Sequence, residues 1–181
     1  LMIFYKELTQ KGTLSKAPDK ISSGTNRNKD ENHPKAALAM CENIDWNVGR
    51  VIETLETLDL DENTIIVYLS DNGPNGHRWN AGMKGVKGST DEGGVRSPMI
   101  IYWKGNIPEG KEVNKIASAI DLLPTLKDLA GIKSTPKNKL DGLSLKQLIY
   151  NENTEWPERY IYNYWRGKLS IRSQNFRLGN K

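Results

Sequence analysis

The chain has 181 residues, 36% of them hydrophobic and 27% charged, and carries a net charge of +4. That length can bury one ordinary core, as a single domain or part of a larger one, and the composition excludes a wholly disordered chain. The basic residues are spread rather than clustered, which excludes a nucleic-acid-binding tail, fits an anionic small ligand, and comes with no apolar run long enough for a membrane span.

In chain order, residues 1–32 are polar and irregular, rich in Ser, Asn, Lys and Gly, and read as a surface segment. From His33-Pro34 onward, Ala37, Met40, Cys41, Ile44, Val48, Val51, Ile52, Leu55 and Leu58 recur at helical spacing, with Asn32 placed to cap the helix. DLDEN makes a turn, and TIIVYLS (64–70) follows as a β-branched, nearly all-apolar strand of the kind buried on both faces of a parallel sheet. PMIIYW (98–103) is the next strand. In IASAIDLLPTLKDLAGI, Asp121 is placed to cap a helix running through Leu129, and Gly131 supplies its stop. A short helix begins near Ser144. After Trp156-Pro157, RYIYNYW and KLSIRSQ flank Arg166-Gly167 as a hairpin that opens a second subdomain. Alternating helix and strand indicates an α/β fold, with ligands expected beyond the carboxyl end of the buried strand.

That end carries the stretch SDNGPNGHRWNAGMKGVKGSTDEGG (70–94). Asp71 and Asn72 set a carboxylate beside an amide oxygen, hard donors suited to Ca²⁺ or Mg²⁺; the same residue types also favour a plain turn. After Asp71 no acid occurs until Asp91, and Arg78, Lys84 and Lys87 fall between them, while glycines allow close backbone approach. Together with a divalent ion they would hold a tetrahedral oxyanion such as sulfate or phosphate; the alternative is a solvated basic loop. His77 has the pKa range of a general acid, or is a surface polar residue.

NTIIVYLSDNGP, GMKGVKGSTDEGGVRSPMIIYWKG, IDLLPTLKDLAGI and LDGLSL occur in the order found in the formylglycine-dependent sulfatases, and the chain from about His33 to Leu148 resembles the later half of their catalytic domain. WPERYIYNYW and IRSQNFRL look like the start of the family's smaller C-terminal subdomain. The resemblance implies a partial alkaline-phosphatase-like α/β sheet with flanking helices over 33–150 and the start of a β-rich subdomain over 151–181. It also implies Ca²⁺, in preference to Mg²⁺, held in part by Asp71 and Asn72, and a sulfate contact from Lys87. Lys84 is a helper cation or a surface residue, His77 and Arg78 take no role, and Glu92, Gly93, Gly94 and Arg96 are structural. The implied ligand is a sulfated small molecule or glycan, and the implied location is periplasmic or secreted, although LMIFYKELTQKG lacks the pattern of a signal peptide.

The family's formylglycine forms from Cys or Ser in a C/S-x-P-S/T-R motif, which this chain lacks. Cys41, followed by Glu-Asn-Ile on the apolar helix stripe, reads as a core residue, and as the only cysteine it forms no disulfide within the chain. The N-terminal acidic pair and the sulfate-contacting His loop of the family are also without a match. The economical reading is a fragment of a longer sulfatase whose nucleophile lies in the missing N-terminal part. The alternatives are a phosphodiesterase or phosphonate hydrolase of the same superfamily, or a non-catalytic binder of sulfated glycans. The 181-residue chain by itself is expected to release no sulfate from aryl sulfates; turnover that disappears in Lys87→Ala would contradict this.

Overall fold

The computed structural model describes residues 32–75, 81–134, 136–151 and 154–180, with no side-chain description for 32–37. The expected surface segment before Asn32, the capping by Asn32, and His77 and Arg78 therefore lie outside what is described. The chain forms two compact units, 1–64 and 65–181.

In the first unit the periodic stretch is helix α1 (Asn32–Thr57). It ends where Asp59 adopts a left-handed conformation (φ 54°), which lets Leu60 N–H reach Leu55 C=O (2.9 Å) and Asp59 N–H reach Glu56 C=O (3.2 Å), a Schellman closure. A 3₁₀ turn, Asp61–Asn63, replaces the plain turn expected for DLDEN. Cys41 is exposed rather than a core residue, as are Leu38, Met40 and Val51 on the same helix. Helical spacing identifies an apolar stripe but not what covers it. None of the described helices is long and apolar enough to cross a membrane.

The second unit contains β1 (Ile66–Leu69) and β2 (Met99–Tyr102), followed by α3 (Leu122–Leu129) and α4 (Lys146–Tyr150), with the short helix α2 (Glu92–Val95) between the strands. β1 and β2 pair antiparallel, Val67 opposite Ile101 and Leu69 opposite Met99. This corrects the expectation of a parallel, doubly buried strand: β1 is half-buried and Leu69 is exposed. An all-apolar run does not encode strand direction. Here the connecting loop folds back on itself instead of crossing over as a long helix, so β2 returns alongside β1. One face of the ribbon, with Ile65, Met99, Ile101 and Trp103, packs on buried Leu129, Leu145, Leu148 and Ile149 from α3, α4 and their connection.

Asp121 occupies the N-cap position of α3, as expected from sequence, but its side chain makes no capping hydrogen bond to that helix. It ends a 3₁₀ turn (Ala119–Asp121) that leads into α3, and its side chain reaches back to Ser118 N–H (2.8 Å). The carboxylate is fully buried, and it also accepts Leu143 N–H (2.8 Å) and an Arg159 guanidinium N–H (2.8 Å). Thr125, likewise fully buried, donates to Asp121 C=O (2.6 Å) and accepts Leu145 N–H (2.9 Å). Gly142 lies so close to Ile120 C=O that a Cβ would collide with it. These contacts fasten LDGLS to the start of α3.

The expected hairpin is present as β3 (Ile161–Trp165) and β4 (Lys168–Arg172), extended by β5 (Arg177–Gly179). Arg166 (φ 50°) and Gly167 (φ 82°) form its two-residue turn, with the left-handed pair that matches strand twist. The register places Tyr162, Tyr164, Leu169, Ile171 and Leu178 on one face and Ser170, Arg172 and Arg177 on the other.

Arg159→Met leaves the Asp121 charge buried without its cation and is expected to cost about 3–5 kcal/mol. Lys84→Ala breaks only an exposed pair with Asp91 and is expected to cost about 0–1 kcal/mol. Urea unfolding of both variants checks the difference; equal midpoints would contradict it.

Candidate active site

β1 delivers its last residues directly into the Asp-Asn turn. Ser70 N–H donates to Pro98 C=O (3.3 Å), and the Ser97 hydroxyl donates to Ser70 C=O (2.6 Å), so both ends of the 70–97 loop are tied at its neck. The Ser70 hydroxyl donates to Asn72 C=O (3.0 Å), which fixes the turn that carries Asp71 and Asn72. Gly73 N–H donates to Gly94 C=O (2.9 Å), and a Cβ on Gly73 would collide with Gly93 C=O. Glycine at 73 is thus required by close backbone approach.

Lys87 is brought to the same place by its backbone, since its N–H donates to Pro74 C=O (2.9 Å). It stands between Gly85 (φ 89°) and Gly88 (φ 86°) in a tight loop closed by Ser89 N–H to Val86 C=O (3.0 Å) and Gly93 N–H to Lys84 C=O (2.7 Å). The structure therefore joins three residues singled out from sequence: Asp71 and Asn72 on one turn, and Lys87 on a loop bonded to that turn two residues further on. Asp71 and Lys87 are exposed, and among the described residues neither side chain has a hydrogen-bond or ion-pair partner. Lys84 is engaged with Asp91 (3.2 Å) instead.

One carboxylate and one amide suit a hard cation, and Ca²⁺ takes about 6–8 oxygens. The two residues fit as part of such a set. No group of three or more His, Cys, Asp or Glu gathers among the described residues.

Sequence reading did not foresee what anchors this loop. Glu92 lies beside Arg172 (Nε to Oε2, 3.4 Å), Arg177 (Nη1 to Oε2, 3.4 Å) and Arg96 (3.7 Å). The Ser170 hydroxyl donates to Thr90 C=O (2.9 Å) and accepts from Arg177 (3.0 Å). The pairings of Glu92 with Arg172 and Arg177 and of Thr90 with Ser170 join residues about eighty positions apart, and no local pattern signals them.

A family profile described as Sulfatase matches residues 9–132. This chain belongs to the sulfatase family. Rat (Rattus norvegicus) steryl-sulfatase is 34% identical over 139 residues, 71% of this chain and 24% of that protein. Human (Homo sapiens) arylsulfatase A is 33% identical over 145 residues, 74% of this chain and 28% of that protein. The chain thus spans about a quarter of the length of these sulfatases. Among solved structures, Ps i-CgsB in complex with k-i-k-neocarrahexaose is 30% identical with a TM-score of 0.68, covering 94% of this chain and 43% of that one. BT4656 in complex with its substrate D-glucosamine-2-N,6-O-disulfate is 31% identical with a TM-score of 0.62, covering 82% and 31%. The expected α/β, alkaline-phosphatase-like fold class holds.

Gly73→Ala pushes a methyl group into Gly93 C=O and is expected to cost about 1–3 kcal/mol. Chemical denaturation measures it, and an unchanged midpoint would contradict the packing of Gly73 on α2.

Proposed function

We propose that the chain is the later part of a sulfatase catalytic domain and that the whole protein hydrolyses sulfate monoesters. The observation that carries this reading is the 2.9 Å bond from Lys87 N–H to Pro74 C=O, which seats Lys87, an ammonium-bearing residue with no side-chain partner among the described residues, beside the Asp71–Asn72 turn. Asp71 and Asn72 would hold Ca²⁺ through one carboxylate and one amide oxygen, as part of a larger oxygen set. An ion held there would supply positive charge beside the sulfate oxygens.

Lys87 binds the sulfate group with its ammonium. Negative charge grows on the sulfate oxygens and on the departing alcohol as the ester bond breaks, and a cation fixed beforehand stabilises that change without reorganising. The loop's backbone bonds provide the fixing. The formylglycine nucleophile belongs to sequence that this chain does not carry. The saccharide ligands of Ps i-CgsB and BT4656 support a sulfated sugar as the substrate class. An enzyme of that kind is placed in the periplasm or outside the cell.

In the full-length protein, Lys87→Ala is expected to lower kcat/KM for sulfate esters by about a hundredfold or more, the scale of losing one positioned charge-stabilising group. Asp71→Ala is expected to weaken Ca²⁺ binding measured by calorimetry. Full sulfatase activity in Lys87→Ala, or unchanged Ca²⁺ affinity in Asp71→Ala, would contradict the assignment.

A further inference from the structure

Glu92 opens α2, and α2 touches every part of the candidate site. Gly94 C=O accepts from Gly73, next to the metal-binding pair, and Gly93 N–H donates to Lys84, at the base of the Lys87 loop. Two residues before Glu92, Thr90 is buried and accepts the Ser170 hydroxyl.

The other partners all come from one face of the C-terminal sheet. Arg172 and Arg177 are cross-strand neighbours, and both approach the same oxygen, Oε2 of Glu92, at 3.4 Å. Other donors of the two guanidinium groups bond protein atoms as well. Arg172 Nη1 donates to Ser173 C=O (2.7 Å) and Gln174 C=O (3.1 Å), and Arg177 Nη2 donates to Ser170 (3.0 Å). Both guanidinium groups are mostly buried, at 25% and 17% exposure, and are thus occupied as clamps rather than left open for a ligand. The exposed Arg96, at 3.7 Å from Glu92 Oε1, adds little to this grip.

We infer that the C-terminal sheet is a positioning element for the sulfate-binding loop. Glu92 is the positioning residue, gripped by Arg172 and Arg177, with Ser170 as a second grip on Thr90. Glu92 touches neither metal nor substrate; it acts through α2, whose backbone holds Gly73 on one side and the Lys84–Ser89 turn on the other. Loss of the grip frees α2 to shift, and Lys87 and the Asp71–Asn72 turn lose their fixed separation. A misplacement on the order of 1 Å at a reacting centre can lower rate about a hundredfold, so such an effect would appear in kcat without removal of any catalytic group.

The kinetic part of this inference rests on the sulfatase reading, whereas the structural part does not. The test uses the full-length protein with Glu92→Gln and Ser170→Ala, each measured by amide hydrogen exchange, thermal unfolding and steady-state kinetics on a sulfated sugar. The Lys87 and Gly93 amides, bonded to Pro74 and Lys84, are expected to exchange about tenfold faster or more in each variant, while β1–β2 amides keep their wild-type rates. Where wild type turns over, kcat is expected to fall more than KM rises. If wild type shows no turnover, the sulfatase reading fails and the exchange result still decides the clamp. Unchanged exchange at Lys87 and Gly93, or an equal increase in β1–β2, overturns the inference, the latter because it marks a purely global destabilisation. Ser170→Ala removes one hydroxyl and keeps the question answerable if Glu92→Gln fails to fold.

Discussion

A carboxylate taken fully out of water must be given donors, and Asp121 is where this chain meets that demand. Its two oxygens collect the Ser118 and Leu143 amides and the Arg159 guanidinium, three segments otherwise separate in sequence. Each partner is held by the cost of leaving the charge unpaired, several kcal/mol in a buried setting. The entry to α3, the LDGLS connection and the approach to β3 are therefore joined at one point. Arg159 precedes β3 by two residues, so the same bond helps set where the C-terminal sheet begins.

From that starting point the sheet turns its polar face, with Ser170, Arg172 and Arg177, toward Thr90 and Glu92. The second carboxylate repeats the first at lower burial, with Glu92 about a quarter exposed and Asp121 not exposed at all. One ion pair orients the sheet and the other lets the sheet hold the loop. Exposed Lys87 and Asp71, with half-buried Asn72, stand on a backbone bonded at Lys87, Asn72 and Gly73, although their side chains have no partner among the described residues. The arrangement leaves the side chains open and places its rigidity in the main chain beneath them.

Much of this was legible in the sequence where the signal is local. The periodicity from Ala37 to Leu58 marks α1, Arg166-Gly167 marks the hairpin turn, and the Asp-Asn pair after an apolar run marks the end of β1. The direction of β1 was not legible, because TIIVYL suits either pairing. Asp121 reads as a helix cap from its neighbours, yet its partners at Leu143 and Arg159 come from remote sequence. Cys41 fits an apolar stripe by spacing and is exposed, since spacing does not report what covers a face. Glu92, Arg172 and Arg177 look like ordinary surface charges in sequence, and only the strand register brings the two arginines onto one carboxylate.

Under the proposed function, Lys87 and the Asp71–Asn72 turn face a common ligand. The most direct measurement is a crystal structure of the full-length protein grown with Ca²⁺ and a sulfated sugar. The account predicts Asp71 and Asn72 oxygens at about 2.3–2.6 Å from the ion and the Lys87 ammonium within hydrogen-bond distance of a sulfate oxygen. A Ca²⁺ ion ligated without either residue, or a sulfate bound with Lys87 turned to solvent, would contradict it.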